Sequence, residues 1–256
     1  MSTIETVFNP LASAPDSVPG SVPGPIQDAS SGPSGAAAAA AAAAIPGAPA
    51  PEEATAAPTY PPAVITLSRS GYIIRPMVPA DAASMQVACD SPAMAQYMSY
   101  RFSSPYTLEA AHHWIGFASA FRVPGPAGET IATAGDVAPI MVISDPKTHA
   151  VVGGIGVKTK EDVEQFSFEV GYWTAEPIWG KGVMTEACQA YCKWVFETYP
   201  KVIRLSAEVF GGNDASIRVL EKSGFVREGL KRNGGVKHGR VFDVHLFGLL
   251  REECTW

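Results

Sequence analysis

Residues 169–187 read Glu169-Val-Gly-Tyr-Trp-Thr-Ala-Glu-Pro-Ile-Trp-Gly-Lys-Gly-Val-Met-Thr-Glu-Ala187. The stretch opens inside a run of alternating character. Phe166, Phe168, Val170 and Tyr172 fall on one face of a strand over 165–174, and Ser167, Glu169 and Gly171 on the other. A short loop then reaches Gly180-Lys181-Gly182, and Val183, Ala187, Ala190, Tyr191, Trp194 and Val195 follow at helical spacing. A strand, a glycine pair and a helix start form a site for an anion. The first N–H groups of a helix have no partner within it, and glycines let a phosphate come close to them. A pyrophosphate fits such a site. The same three residues would also suit a plain helix cap in a tight turn, so the flanking pattern has to decide.

Reading towards the amino terminus, residues 150–158 form a second strand that pairs as a hairpin with Pro139–Ile143 across the turn Asp145-Pro146-Lys147-Thr148. Within it, Gly153-Gly154-Ile155-Gly156 resembles a dinucleotide fingerprint but lies inside a strand with no helix after it. The chain also lacks the Gly-x-x-x-x-Gly-Lys-Ser/Thr loop of nucleoside-triphosphate sites. Residues 123–137 have no periodicity and are expected as a surface loop. Before it, Thr107 starts a helix to about Phe121, and Pro92 a short one to Met98. Asp81 is expected to cap a helix to Asp90, with Ala82, Met85 and Val87–Ala88 buried. Ile73-Ile74-Arg75-Pro76 makes a short first strand.

On the carboxyl side come a strand from Ile203 to Phe210, a helix from Asp214 stopped by Gly224, and two strands, 225–230 and 241–250, flanking the turn-forming Asn233-Gly234-Gly235. The order is α/β (α+β) with a mostly antiparallel sheet, not a regular βαβ repeat.

Several of these motifs together resemble the GNAT acetyltransferases, in the branch of the Rim-type ribosomal-protein N-acetyltransferases. They are Ile73-Ile74-Arg75-Pro76, Glu169-Val-Gly-Tyr-Trp173, Trp179-Gly-Lys-Gly-Val-Met-Thr-Glu-Ala187, Asn213-Asp-Ala-Ser-Ile-Arg-Val-Leu-Glu-Lys-Ser-Gly-Phe225 and Glu228-Gly229, in that order, between about Val64 and Glu252. The resemblance implies a central mixed sheet with flanking helices and a splayed strand pair at the coenzyme site. It also implies acetyl-coenzyme A as donor and an amine as acceptor.

Carried over by position, the pyrophosphate would lie on the backbone of Trp179, Gly180, Lys181, Gly182, Val183, Met184 and Thr185, with the Thr185 hydroxyl as a further contact. Trp179 and Met184 depart from the family pattern, and Met184 is expected to crowd the phosphate path. Main-chain groups of Tyr172, Trp173 and Thr174 would meet pantetheine and the thioester oxygen. Asn213 matches a pantetheine-binding asparagine, with helix capping as its other reading. The tyrosine that often protonates the leaving thiolate is Leu220 here, and Ser216 stands where this branch has a serine near the sulfur. Glu169 matches the glutamate that would serve as base; its other reading is an exposed carboxylate or the partner of a nearby lysine. A second glutamate of some relatives falls on Gly235, and a common tyrosine on Phe247. An α-amine, with a pKa of about 7.7–8.0, is partly neutral at physiological pH; a lysine must lose roughly 4.6 kcal/mol of protonation free energy before attack. These departures leave two other readings: a coenzyme-binding module with weak chemistry, or transfer of another acyl group.

Outside the resemblance, composition changes sharply. The first 62 residues hold 12 of the 22 prolines, 17 alanines, five acidic residues and none of the 19 Lys and Arg. Their charge is therefore −5 against −1 for the remainder. Such a stretch buries too little apolar surface to offset about 1–2 kcal/mol of backbone entropy per residue. Residues 1–62 are expected as an Ala/Pro-rich disordered tail and 63–256 as the catalytic domain. A near-neutral body without a basic block argues against nucleic-acid binding. The tract Ala36–Ala44 is far short of the roughly 20 residues of a membrane span, and Met1–Glu5 lacks a signal-peptide start. A cytoplasmic, soluble protein, monomer or homodimer, is expected. The four cysteines (Cys89, Cys188, Cys192, Cys254) and five histidines show no metal spacing, so no metal is expected.

Overall fold

The computed structural model describes residues 58–125, 129–131 and 136–256. The expected tail falls almost wholly outside the described residues, as does part of the loop expected over 123–137.

Short apolar and β-branched runs give eight strands among the described residues: β1 Ile65–Thr66, β2 Ile73–Pro76, β3 Met141–Ser144, β4 Val151–Lys158, β5 Ser167–Thr174, β6 Arg204–Phe210, β7 Val226–Lys237 and β8 Arg240–Leu250. They form one sheet in the order β1-β2-β3-β4-β5-β6-β8-β7. Every neighbouring pair is antiparallel except β5–β6. The helices are α1 Ala82–Cys89, α2 Pro92–Ala95, α3 Leu108–Ala120, α4 Val183–Thr198 and α5 Asp214–Lys222.

Two clusters of buried side chains place the helices on opposite faces. Phe168 and Val170 of β5, Leu205 and Ala207 of β6 and Phe247 of β8 pack against Val183, Ala187, Tyr191 and Val195 of α4 and Leu220 of α5. On the other face, Met85 of α1, Met94 of α2 and Ile115 of α3 pack with Val142 and Val151. Each fully buried aliphatic or aromatic side chain contributes about 1.5–3 kcal/mol, so both layers are held mainly by apolar burial. The carboxyl end of α4 is closed by Arg251, whose guanidinium donates to the carbonyls of Phe196 at 2.7 Å and Tyr199 at 2.8 Å. A cation at this end also answers the helix dipole.

Several expectations change. Asp81 precedes α1 but makes no side-chain cap. Its carboxylate takes both Arg75 nitrogens, at 2.7 and 2.9 Å, and the Val78 N–H at 2.9 Å, because an arginine with no exposed surface requires a paired anion. Val87, expected inside, is 81% exposed, since α1 is short and buries Met85, Ala88 and Cys89 instead. The helix from Pro92 ends at Ala95.

Asn233-Gly234-Gly235 is not the hairpin turn. β7 continues past it to Lys237, and the turn falls at His238-Gly239, with φ of 49° and 74°. Lys231 pairs with Val244 and Gly235 with Phe242, so residues 232–234 bulge out opposite Asp243. The Asp243 carboxylate accepts the Asn233 N–H at 2.8 Å, and this side-chain bond holds the bulge in place of a turn. Tyr60, read as part of the tail, stacks on His149 at 4.0 Å between ring centroids and lies under the Arg75 guanidinium at 4.8 Å.

Candidate active site

The parallel strands β5 and β6 pair at only three positions, Ser167–Arg204, Phe168–Leu205 and Glu169–Ser206. Beyond Glu169 they diverge, while β4 stays paired with β5 up to Gly153–Thr174. The sheet therefore opens into a wedge between Val170–Thr174 and Ala207–Phe210. Strand alternation decides which peptide groups line it. The Phe166 carbonyl accepts from Ile203 next to β6, and the Ala175 N–H donates to Val152 next to β4. The N–H and carbonyl groups of Val170, Tyr172 and Thr174 therefore face the wedge, and those of Gly171 and Trp173 face β4. The indole N–H of Trp179 takes the Thr174 carbonyl at 2.7 Å. The expected main-chain edge of Tyr172, Trp173 and Thr174 thus becomes Val170 and Tyr172, with the Thr174 N–H. Val170 was missed because its side chain reads as core; alternation counted from a paired neighbour finds it.

The glycine pair opens α4 as the spacing predicts. Gly180 and Gly182 have φ of 72° and 77°, which side chains rarely adopt, and a Cβ on either would meet no atom within 4 Å. Both stand at an open surface. The first helical bond of α4 runs from the Glu186 N–H to the Gly182 carbonyl at 3.1 Å, leaving the N–H groups of Val183, Met184 and Thr185 outside the intrahelical pattern. Two members of the expected cradle drop out: the Trp179 N–H bonds Glu176 and the Lys181 N–H bonds Ile178. The Lys181 side chain is exposed beside the cradle. Met184 does not crowd the path, because its side chain is buried in the core and only its backbone faces the helix start.

Glu186, one turn into α4, accepts the N–H groups of Arg69 and Ser70 at 2.7 and 2.9 Å. It ties the β1–β2 turn to the helix that carries the glycine loop. Burial works against its charge, but those two N–H groups and the nearby Arg69 guanidinium hold the carboxyl below its ordinary value.

At the start of α5, the Asn213 side chain accepts the Ser216 N–H at 3.2 Å, the capping role. Ser216 in the first turn meets the Tyr172 phenol, Oη to Oγ at 2.9 Å and Oη to its carbonyl at 3.2 Å. Burial, and next the nearby Cys188, push the Tyr172 phenol well above its ordinary value, so it is neutral and a donor. Sequence reading gave Tyr172 only a main-chain role. Its hydroxyl contact could not be found from spacing because Ser216 is on another element.

Glu169 stands at the closed end of the wedge on the face opposite Phe168. Its carboxylate pairs with Lys158 Nζ at 2.5 Å, the residue directly across the β4–β5 ladder. Leu220 is fully buried, and a Cβ on Gly235 would meet the Phe242 ring at 2.5 Å, so neither position can supply a polar group. Among the described residues no group of three or more His, Cys, Asp or Glu could hold a metal ion, and no helix is long and apolar enough to cross a membrane.

A sequence model of the acetyltransferase (GNAT) domain matches residues 72–226, more than half of the chain. The chain belongs to the GNAT acetyltransferase family. The matched residues run from the start of β2 to the start of β7 and so contain the wedge, the α4 glycine loop and α5. Among curated relatives, the Uncharacterized N-acetyltransferase p20 of Bacillus licheniformis is 36% identical over 107 residues, 42% of this chain and 59% of that protein. The Putative ribosomal N-acetyltransferase YdaF of Bacillus subtilis is 35% identical over 85 residues, 33% of this chain and 46% of that protein. The chain thus matches about half the length of these relatives. Among solved structures, the ribosomal-protein-S5-alanine acetyltransferase from Vibrio fischeri superposes with a TM-score of 0.56 at 20% identity, covering 72% of this chain and 96% of that one. RimL, a ribosomal L7/L12 alpha-N-protein acetyltransferase in complex with coenzyme A, also gives 0.56, at 15% identity, covering 70% and 93%. At these identities the likeness is one of fold.

Proposed function

We propose that this protein is an acetyl-coenzyme A-dependent N-acetyltransferase that passes the acetyl group directly to a primary amine. The observation that carries this reading is the wedge beyond Glu169, with the glycine-opened start of α4 at its side. One wall offers an unpaired strand edge and the helix offers free N–H groups, which suits a ligand with a peptide-like arm and a pyrophosphate. The names of the curated relatives, N-acetyltransferases, and the coenzyme A complex of the RimL structure support it.

Acetyl-coenzyme A would supply the acetyl group as a thioester. The N–H groups of Gly182, Val183, Met184 and Thr185 would hold the pyrophosphate, with the Lys181 ammonium adding attraction. Val170 and Tyr172 would bond the pantetheine arm along the open edge, and the Asn213 amide nitrogen would face it from α5. One N–H of that edge would polarise the thioester carbonyl, a contribution of about 3–4 kcal/mol when lost in comparable sites. As the carbon–nitrogen bond forms and the carbon–sulfur bond breaks, Glu169 would take the amine proton through water. Ser216 would give a proton to the departing sulfur and regain one from solvent. With its one proton donated to the Ser216 hydroxyl rather than to the Ser216 carbonyl, Tyr172 would leave the serine proton free to turn towards the sulfur.

The test is calorimetric titration of acetyl-coenzyme A into the protein and its Gly182→Trp variant. The expected result is saturable binding that weakens at least about 100-fold in the variant. Thermal melting checks that the variant is folded, since a side chain in the left-handed region costs about 1–2 kcal/mol. Undiminished binding in a folded variant would remove the cradle from α4. Leu220 and Gly235, unable to supply polar groups, favour a second reading, a coenzyme-binding module. It predicts the same binding with no thiol release for any amine.

A further inference from the structure

A second concavity lies on the α2 face of the sheet, beyond the open end of β6. It is half open, has a volume of about 290 Å³ and is lined by Tyr97, Phe210, Lys237, His238, Arg240 and Phe242 among others. It is close to the wedge. Phe210 is the last residue of β6, and the Tyr97 hydroxyl donates to the Gly212 carbonyl at 3.0 Å, directly before the Asn213 cap. The glycine loop of α4 and the first turn of α5 belong to the other face. A ligand here would thus reach the reacting centre from the side opposite the coenzyme.

Its chemistry is uneven. Phe210 and Phe242 pack in a tilted pair at 4.7 Å between ring centroids, giving an apolar floor. The Phe242 ring occupies the space that any side chain at Gly235 would need. The charged residues lining it are all basic, and no carboxylate is among them, although the chain carries a net charge of −6. Lys237 is already used: its ammonium donates to the carbonyls of Ala95 at 2.5 Å and Met98 at 2.6 Å, and burial lowers its pKa. The His238 N–H donates to the Tyr100 hydroxyl at 2.7 Å. These bonds pin the β7–β8 turn to the segment after α2 and close that wall. Arg240 is different. Its guanidinium lies beside Gly212, Nη2 falling 3.6 Å from where a Cβ would stand, and among the described residues no carboxylate is within 4 Å of it.

We propose that this pocket binds the acceptor and that the acceptor is a small primary amine carrying a carboxylate and an apolar or aromatic body, of amino-acid size. Arg240 holds the carboxylate, the Phe210–Phe242 floor holds the body, and the amine points into the wedge. This rests on the acetyl-transfer reading for the direction of the amine. Size favours a small ligand: the volume lies just below the usual range for small-molecule sites, about 300–1,000 Å³, and the pinned hairpin closes one wall. Charge argues against a polyamine, which would place cations beside Arg240 and Lys237.

The test uses products, so that it does not depend on turnover. N-acetyl-L-phenylalanine and N-phenethylacetamide, which lacks the carboxylate, are titrated into the protein with and without coenzyme A, alongside N-acetylspermidine and an N-acetylated hexapeptide amide. The expected result is that the carboxylate compound binds at least about tenfold tighter than its neutral analogue, as one charge-assisted contact provides. Arg240→Gln should erase that difference while leaving N-phenethylacetamide and coenzyme A binding unchanged. Equal binding of the pair, a preference that survives Arg240→Gln, or tighter binding of the spermidine or peptide compound would each overturn the proposal. Coenzyme A that binds normally while the carboxylate preference is missing refutes this pocket alone. Failure of coenzyme A to bind refutes the acetyl-transfer reading instead.

Discussion

Ser216 and Tyr172 depend on each other at the shortest range. The phenol is partly buried and neutral, and its 2.9 Å contact with the serine hydroxyl orients a group that would otherwise rotate in a helix first turn. In the proposed reaction, Ser216→Ala lowers kcat about 100-fold or more, the range of one proton-transfer group, and Tyr172→Phe lowers it by no more than that, both with little change in acetyl-coenzyme A affinity. The double variant should be no worse than Ser216→Ala alone, because the tyrosine acts through the serine. Independent, multiplying losses in a thiol-release assay would show that it does not. Glu169→Gln should likewise reduce turnover and spare coenzyme binding; unchanged turnover with a known acceptor would leave Glu169 only its ion pair with Lys158. Of these three residues, motif position proposed Glu169 and Ser216 as candidates. The hydroxyl contact of Tyr172 was not readable from the sequence, because its partner is 44 positions away on another element.

At the scale of elements, the start of α4 is a rigid platform because Glu186 anchors it to the β1–β2 turn. Its carboxyl is held below the ordinary value, so it stabilises the fold above the ordinary carboxylate pKa of about 4.3, and that contribution is lost as pH falls through the folded-state value. Glu186→Gln should cost about 1–2 kcal/mol at neutral pH, the scale of weakened hydrogen bonds to a charged group. Urea melts should show the gap between variant and parent closing as the pH drops below about 4. A gap that stays unchanged well below that pH would mean that the charge contributes nothing. Helix α4 itself was readable, since glycines, apolar spacing and a strand before it are all local signals. The β7–β8 hairpin was misread because two glycine-rich sites competed, and a carboxylate from the facing strand, Asp243, took the first as a bulge.

For the whole molecule, the boundary of the folded part is the main question that composition raised. We propose that it lies just before Tyr60, somewhat earlier than composition suggests, because the Tyr60 ring packs on His149 and Arg75. A chain beginning at Thr59 should keep the full melting temperature and coenzyme affinity. One beginning at Val64 should lose about 1 kcal/mol of ring contacts, or roughly 2–4 °C. A drop in coenzyme affinity on removing residues 1–58 would show that the preceding residues serve the site.

The sequence by itself determined the alternation of β5, the glycine-opened helix after it, the cap and serine of α5, and the family that these motifs mark. Each of those signals lies within one or two adjacent elements, where spacing and backbone chemistry suffice. Only the tertiary structure decided that Val170 and Tyr172 line the wedge, that Tyr172 meets Ser216, that Lys158 faces Glu169, and that Arg240 comes to stand beside Gly212. Those pairings follow from sheet order and strand register. The divergence of β5 from β6 sets them, and packing of helices on both faces holds that divergence, a long-range balance that no local stretch of sequence expresses.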